Sequence, residues 1–405
     1  MNIPMNTIEK LIDELCPSGV DFKSISEICQ INRGRVMSKD YLRENAGCYP
    51  VYSSQTIDDG VFGRIATYDY DGEYLTWTTD GANAGSVFYR NGKFSITNVC
   101  GLLKVKDESL IIKYLFYILT VVSKKYVSAG MGNPKIMSNV MEKIEIPIPP
   151  LAIQEEIVKI LDTFTELEAE LEAELEARKK QYEYYRDELL TFGDEVEFKP
   201  LWSVTIWDKR FNAVEKNKQP KIISYPYLLA AELFSLKNDS GDVFLLSTGG
   251  QTGWTTEELA GKNIREGEVV SIPWGKSRPV KEVIKYFKGR FVTADNRIAT
   301  SNDTAKLMNK YLYYWMLSQG EVIDTFYRGS GIKHPSMSAL LDMPIPIPPL
   351  AEQERIVAIL DKFDALVNDI SIGLPAELNA RRKQYEYYRN KLLTFKPLEK
   401  AYDNK

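Results

Sequence analysis

Two stretches of this chain occur twice in the same order, and that duplication limits the folds open to it more than any other feature. Residues 177–192, ARKKQYEYYRDELLTF, match residues 380–395, ARRKQYEYYRNKLLTF, at 13 of 16 positions. Upstream, IPIPPLAIQEEIVKILDTF (146–164) matches IPIPPLAEQERIVAILDKF (345–363) at 15 of 19. Matches in a fixed order mark a tandem duplication, so whatever one copy builds the other builds again. Between the copies lie two blocks of mostly different sequence with fainter echoes. VDFKSI from Val20 faces VEFKPL from Val196, and KYLFYIL from Lys113 faces KYLYYWML from Lys310. Segments kept alike meet the same kind of partner, and segments that diverged meet different ones. Two like handles and two unlike faces describe an adaptor.

The repeated segments are helical by pattern. Ile153, Ile157, Ile160, Phe164, Leu167, Leu171 and Leu175 recur every three or four residues, and Tyr182, Tyr185 and Leu189 continue the stripe. Pro149 and Pro150 set the start, and Gly193 is a natural stop. An apolar stripe of this length, roughly 60 Å at the helical rise, requires a partner helix. The second repeat supplies one through Ile356, Ile359, Phe363, Leu366, Ile370, Leu378, Tyr385, Tyr388 and Leu392.

The expected fold class is therefore α+β. Two globular α+β domains are separated by a pair of long antiparallel coiled-coil helices in a pseudo-twofold tandem duplication. The divisions are an N-terminal helical segment (1–19) docking on the C-terminal helix, a first domain (20–147), a first spacer helix (148–193), a second domain (194–345), a second spacer helix (346–395) and a tail (396–405). Inside the domains, EYLTWTT (73–79) and DVFLLST (242–248) read as strands. VFYRNGKFSIT (87–97), with its Asn-Gly, and KYFKGRFVTA (285–294), with its Lys-Gly, read as β-hairpins.

One run stands out within the first spacer: Glu-Leu-Glu-Ala occurs three times in succession from Glu166 to Ala177. Leu151 to Gln181 spans 30 positions, whereas Leu350 to Gln384 spans 34. That difference is one four-residue unit, expected as one extra turn containing Gly373 and Pro375, a stutter in coiled-coil terms. Four residues add about 6 Å and a net rotation of about 40°. The repeat count is expected to set the separation of the two blocks, so the run acts as a ruler.

Net charge is −5, which at first disfavours a polyanionic partner. By segment the picture changes: residues 20–147 carry 15 basic against 14 acidic groups, 196–345 carry 20 against 16, and 151–193 carry 5 against 12. The acidity sits in the spacer, so the two variable blocks stay compatible with nucleic acid. Four scattered cysteines without a C-x-x-C pair point to reduced thiols. The N-terminus lacks a secretory pattern and no apolar run reaches the ~20 residues of a membrane span. A cytoplasmic protein with no membrane partner is expected.

Catalytic chemistry has little to build on. There is one histidine, His334, no phosphate-binding glycine motif and no Asn/Asp-Pro-Pro-aromatic tetrad of an amino-methyltransferase. The chain is expected not to be an enzyme and to hold no cofactor or metal of its own. The variable blocks instead interleave basic and amide side chains with aromatics and glycines, the types that read base edges and phosphates. In the first block the candidate DNA-binding residues are Arg33, Arg35, Ser54, Gln55, Trp77, Thr79, Asn83, Asn133 and Lys135. In the second they are Lys209, Arg210, Gln251, Trp254, Lys276, Arg278, Arg297, Arg328, Lys333 and His334. Individually, most such residues serve as ordinary turn residues, and only the set points to DNA. The near-identical QYEYYR elements supply candidate partner-binding residues: Arg178, Lys179, Tyr182, Tyr185 and Arg186, then Arg381, Arg382, Tyr385, Tyr388 and Arg389. Packing between the two helices competes with docking as the role of the tyrosines.

The arrangement of IPIPPLxxQExIVxILDxF leading into RKKQYEYYRxxLL, together with DGANAGSVFYRNGKFSITN, MGNPKIMSNVMEKIEIPIPPL and GLPAEL, resembles the specificity subunit of type I restriction–modification systems over essentially the whole chain. The resemblance implies that each variable block is a target-recognition domain reading half of a bipartite, asymmetric sequence in double-stranded DNA. It also implies that the repeated helices recruit two modification subunits, which carry S-adenosylmethionine and methylate an extruded adenine. Restriction subunits would bring ATP and Mg for translocation. The competing reading is a coiled-coil assembly protein whose globular blocks bind proteins, separable by the salt dependence of DNA binding.

Overall fold

The two divergent blocks fold on the same plan. In the computed structural model, which describes residues 5–128, 132–250, 252–276, 278–369 and 371–398, the first block contributes β1 (Asp21–Ser24), β2 (Cys29–Arg33), β3 (Ala46–Tyr52), β4 (Val61–Ile65), β5 (Tyr70–Thr78), β6 (Val87–Ile96), β7 (Cys100–Val105) and β8 (Glu145–Ile148). Six of these form a mixed sheet in the order β2-β7-β5-β6-β3-β4, parallel only between β3 and β6, while β1 pairs with β8. The second block contributes β9 (Phe198–Pro200), β10 (Thr205–Trp207), β11 (Val243–Leu246), β12 (Trp254–Thr255), β13 (Arg265–Pro273), β14 (Lys285–Thr293), β15 (Asn296–Ser301), β16 (Tyr327–Arg328), β17 (His334–Pro335) and β18 (Pro344–Pro346). Its sheet runs β10-β15-β13-β14-β11-β12, again with one parallel pair, β11 with β14, and β9 pairs with β18. The duplication therefore extends through the blocks whose sequences have drifted apart, and the chain is an α+β tandem repeat.

The chain divides into two compact units. Unit 1 comprises residues 1–171 and 378–405, and unit 2 comprises 172–377. In unit 1 the core lies between the sheet and the helix Ile112–Val122. Leu75, Trp77, Leu103, Tyr114, Leu115 and Ile118 meet there with Ile153 and Ile157 of the spacer. Burying a side chain such as Trp77 or Leu75 contributes roughly 1.5–3 kcal/mol each. Gly101 is fixed by that ring: a Cβ on it would fall 2.2 Å from the indole. Unit 2 repeats the scheme with the helix Asn309–Ser318 and Tyr311, Leu312 and Trp315.

Both expected hairpins are absent. Val87–Ile96 is one strand that pairs with β5 without interruption from Trp77↔Val87 to Tyr70↔Phe94. Gly92 sits mid-strand at φ 96°, directly opposite Gly72 at φ 124°. Likewise Lys285–Thr293 is one strand, with Gly289 at φ 136° opposite Gly267. Asn-Gly reverses a chain only where the next residues can fold back on it. Here a neighbouring strand with its own glycine is already in place, so the glycine supplies a kink instead of a turn.

The first spacer is a single helix, Leu151–Leu189. The second, expected as one helix within 346–395, is two: Leu350–Asn368 and Leu374–Leu392. Asp369 leaves helical geometry at ψ 116°. The buried Gly373 then packs so closely that a Cβ would lie 2.4 Å from the Ala365 carbonyl oxygen. The additional four residues are thus a break, and the expected extra helical turn is corrected accordingly.

Within each unit the halves of the spacers pair. In unit 1, Phe164 stacks on Tyr388 at 5.9 Å and lies 6.1 Å from Tyr385, and four residues further on Glu168 accepts from Arg382 at 2.6 Å. One helix advances as the other retreats, so the pairing is antiparallel. In unit 2, Phe363 takes the place of Phe164, stacking on Tyr185 at 5.7 Å beside Tyr182.

Each spacer start also latches onto its own domain. Gln154, fully buried, accepts from the Ile111 amide at 2.9 Å and donates to the Ser109 and Pro149 carbonyls at 2.8 and 2.7 Å. Gln353 repeats this with Met308, Lys306 and Pro348. Asp162 accepts from Lys113 and Tyr117, both at 2.6 Å, and Asp361 does the same for Lys310 and Tyr314.

The N-terminal helix Met5–Leu15 belongs to unit 1, where Glu9 pairs with Lys391 at 3.1 Å. The Val20 amide donates to the Lys396 carbonyl at 2.9 Å, and the Leu398 amide donates to the Val20 carbonyl at 2.8 Å. No helix among the described residues is long and apolar enough to cross a membrane.

Candidate nucleic-acid interface

In unit 1, loops from five places in the sequence meet. Thr79 donates its amide to the Val99 carbonyl at 3.3 Å, Gly81 donates to Pro134 at 3.0 Å, and Asn98 donates to Arg35 at 3.0 Å. Thr97 donates to Tyr52 at 2.9 Å, which brings in Ser53 to Thr56. Among the candidate residues this cluster gathers Arg33, Arg35, Ser54, Gln55, Thr79, Asn83, Asn133 and Lys135.

Their roles separate by burial. Arg33 is half-buried and donates to Thr79 Oγ1 at 3.3 Å and to the Asn98 carbonyl. Ser54 donates to Asp80 at 2.9 Å and Gln55 to the Val61 carbonyl. Arg35 is exposed and paired with Asp69 at 3.2 Å. Asn83, Asn133 and Lys135 are exposed, with Asn83 donating to Thr56 at 3.1 Å. Trp77 and Thr79 are corrections. Trp77 is fully buried with its Nε1 donating to the Ile136 carbonyl at 3.1 Å, and Thr79 is buried with its hydroxyl on Val99. An aromatic in a polar-looking loop string fell on the inward phase of β5.

Sequence reasoning missed Arg90. It is buried, lies 3.6 Å over the Tyr52 ring, and donates to the Asp59 carbonyl at 2.7 Å and to Thr76 at 3.2 Å. It thereby holds a turn in which Asp58 and Asp59 both have positive φ, 52° and 50°. Strain of this kind costs of order 1–3 kcal/mol per residue and persists only where the surroundings enforce it.

Unit 2 presents the matching loops. Lys276 bridges to Lys333 as Asp80 bridges to Lys135. Tyr327 donates its hydroxyl to the Pro273 carbonyl at 2.7 Å, and His334 Nδ1 lies 2.9 Å from the Trp274 carbonyl oxygen. An open cleft of 570 Å³ lies between Thr248–Gly250 and Gly275, Lys276 and Arg278. Behind it Lys285 donates to the Ser247 carbonyl at 2.6 Å and to Ser247 Oγ at 3.0 Å, and burial pulls its ammonium down to about 8.

Arg210, Trp254, Arg278, Arg328, Lys333 and His334 are exposed. Lys209 is tied to Asp295 at 2.8 Å and Lys276 to Asp324. Burial alone raises the Asp295 carboxyl, and hydrogen bonds from Lys209 and Arg297 overcome that to hold it below the ordinary carboxylate range. Arg297 is buried, bonded to Asp295 at 2.8 Å and centred 3.8 Å over Trp274, so it is a support and the expectation of direct contact is corrected. Gln251 lies outside the described residues.

In the QYEYYR elements the packing alternative describes the tyrosines of the stripe. Tyr182, Tyr185, Tyr385 and Tyr388 are committed to Phe363 and Phe164 in the helix pairing. Arg186 is buried against Asp187 at 2.8 Å, and Arg389 lies over Tyr385 at 5.3 Å. Arg178 is bound to Glu174 at 2.7 Å, Arg381 to Gln384 at 3.2 Å and Arg382 to Glu168, whereas Lys179 is exposed. The most exposed tyrosines of the two elements are the middle ones, Tyr184 and Tyr387, at 64% and 63%. For Tyr184 the stripe already contained the signal: in the same helix it falls about 200° around from Phe164, away from the packed face.

Among the described residues no cluster of histidine, cysteine, aspartate or glutamate is arranged to hold a metal ion. Two sheets of one topology, each with its own polar loop cluster, define a tandem recognition scaffold. The type I restriction modification DNA specificity domain model matches residues 17–177 and 230–380. A putative type I specificity subunit of Mycoplasma pneumoniae is 32% identical over 377 residues, covering 91% of this chain and 96% of the relative. Another from the same organism, described as an N-terminus, is 52% identical over 174 residues, 41% of this chain and 93% of its own length. The crystal structure of a type I restriction–modification S subunit from M. genitalium shares the fold at TM-score 0.59 and 14% identity, covering 93% and 96% of the two chains. The chain belongs to the type I restriction–modification DNA specificity family, and its task is DNA target recognition.

Proposed function

We propose that each unit reads one half of a bipartite, asymmetric target in double-stranded DNA, and that the spacer helices recruit two modification subunits and, through them, restriction subunits. The observation that carries this reading is the recurrence of one loop pairing, Asp80 with Lys135 and Lys276 with Lys333, dressed with different side chains in the two units. Identical scaffolds with unlike contact residues suit a partner with two unlike halves. The chain itself is non-catalytic in this reading. S-adenosylmethionine belongs to the modification subunits, and ATP with Mg to the restriction subunits. Tyr184 and Tyr387 replace the tyrosines packed on Phe164 and Phe363 as the partner contacts, because they are the most exposed aromatic faces at equivalent positions of the two elements.

Methylome sequencing of cells carrying this chain with its modification subunit tests the proposal. The expected result is a two-part motif with a fixed gap. A single continuous motif, or no motif despite good expression, refutes it. Duplex binding that does not weaken steeply with salt would favour a protein-binding adaptor instead.

A further inference from the structure

His334 is the only histidine of the chain, and its setting is unusually complete for an exposed side chain. Its ring lies on Trp274, centroids 4.5 Å apart at 34°. Trp274 in turn carries the Arg297 guanidinium, 3.8 Å from its ring centroid. Arg297 is buried and clamped by Asp295 at 2.8 Å and by the Asn296 carbonyl at 3.0 Å. The stack thus has a fixed base, a planar platform and an imidazole at its outer end. The backbone is fixed too, since His334 pairs with Arg328 across β16 and β17 and the Lys276 amide donates to the Lys333 carbonyl at 3.1 Å.

The hydrogen bond at Nδ1 settles the chemistry of the other nitrogen. A carbonyl oxygen has no proton to give, so Nδ1 at 2.9 Å from the Trp274 oxygen must be the donor. In the neutral ring Nε2 is then an acceptor only, and it lies on the side of the ring away from Trp274's carbonyl. The carboxylates near this stack, Asp295 and Asp324, are already engaged with Arg297, Lys209 and Lys276. An acceptor held rigidly outward discriminates among bases. In the major groove adenine N6 and cytosine N4 donate, whereas guanine O6 and N7 and thymine O4 only accept.

We propose that His334 is a base-reading side chain of unit 2 whose Nε2 accepts a hydrogen bond from the exocyclic amine of an adenine or a cytosine. This rests on the reading of the chain as a DNA-recognition subunit, and the test separates the two. The full chain with its modification subunits is assayed at pH 8 on duplexes of the motif found by methylome sequencing. One at a time, each adenine is replaced by purine and each cytosine by 2-pyrimidinone, which delete the exocyclic amine alone. For the unaltered protein, one position in one half-site should weaken binding about five- to tenfold, the scale of one hydrogen bond. His334→Ala should lose the same factor on the natural duplex and become indifferent to that analogue. His334→Gln, whose amide can present either an oxygen or an NH₂, should recover affinity while losing discrimination at that position. If every analogue affects the unaltered protein and His334→Ala equally, or if His334→Ala weakens all duplexes uniformly, the assignment is wrong. The two-part motif would survive that outcome, whereas failure to bind any bipartite duplex would condemn the underlying reading instead.

Discussion

Replacing Gln154 by Leu isolates the latch between the spacer and its domain. Leucine keeps most of the volume, so no large cavity is opened, but three hydrogen bonds of 2.7–2.9 Å disappear. Each is worth about 1 kcal/mol net, and the Ile111 amide, left without its acceptor, adds about another. Easier burial of leucine offsets roughly 1 kcal/mol. The expected loss is about 3 kcal/mol, or roughly 150-fold in the opening equilibrium. Hydrogen exchange read by mass spectrometry on peptides covering 109–122 should show that loss of protection. Gln353→Leu should produce the same change in peptides covering 306–318, because its bonds to Met308, Lys306 and Pro348 are the same set. Asp162→Asn is the control. Its partner Lys113 lies at the surface, and an asparagine oxygen can still accept from the Tyr117 hydroxyl, so its loss should stay below about 1 kcal/mol. If Gln154→Leu falls within 0.5 kcal/mol of the parent, or Asp162→Asn costs more, buried amide satisfaction is not what fastens the domains.

Three further outcomes are expected. Because burial lowers Lys285 to about 8, the folded state releases its proton before the unfolded chain does, so stability should rise as pH climbs from 8 towards 10.5. Lys285→Met should flatten that rise in a denaturant series, and an unchanged slope counts against the buried charge. Deleting one repeat unit, Glu170–Ala173, should shorten the methylome gap by one or two base pairs and leave both half-sites intact; an unchanged gap makes the run mere filler. Tyr184→Ala with Tyr387→Ala should keep thermal stability within about 0.5 kcal/mol yet weaken capture of modification subunits at least tenfold in a pull-down titration, whereas Tyr182→Ala should destabilise by about 3 kcal/mol. Undiminished capture by the double variant would move the docking surface elsewhere.

How much of this was legible beforehand follows from which interactions are local. Spacer helices show in sequence because the stripe Ile153, Ile157, Ile160 and Phe164 is a one-dimensional pattern. The strands at Tyr70–Thr78 and Val243–Leu246 show for the same reason. Asn91-Gly92 misled because a turn dipeptide and a mid-strand kink look identical until the partner residue, Gly72, is known. The break at Asp369–Gly373 was signalled by Gly373 and Pro375, but the four-residue length difference was equally compatible with one more helical turn. At the interface, residue type pointed to the right loops but could not tell Arg297, buried under Trp274, from Arg328, which is exposed. Arg90 was invisible, since its task is defined by Tyr52 and Asp59, more than thirty positions away.

The closure of Val20 on Lys396 and Leu398 has a consequence in time. Unit 2 is one uninterrupted stretch, residues 172–377, and holds everything it needs once that stretch has left the ribosome. Unit 1 begins first but is completed after unit 2, because the helical segment from residue 378 that covers Phe164 and the segment beside Val20 both follow unit 2 in the chain. The earlier-made sheet must therefore wait with part of its apolar surface uncovered for the whole synthesis of unit 2, about ten to forty seconds at typical elongation rates. The two units are encoded in one order and mature in the other. An incomplete chain would be expected to present unit 2 folded and unit 1 as a chaperone client.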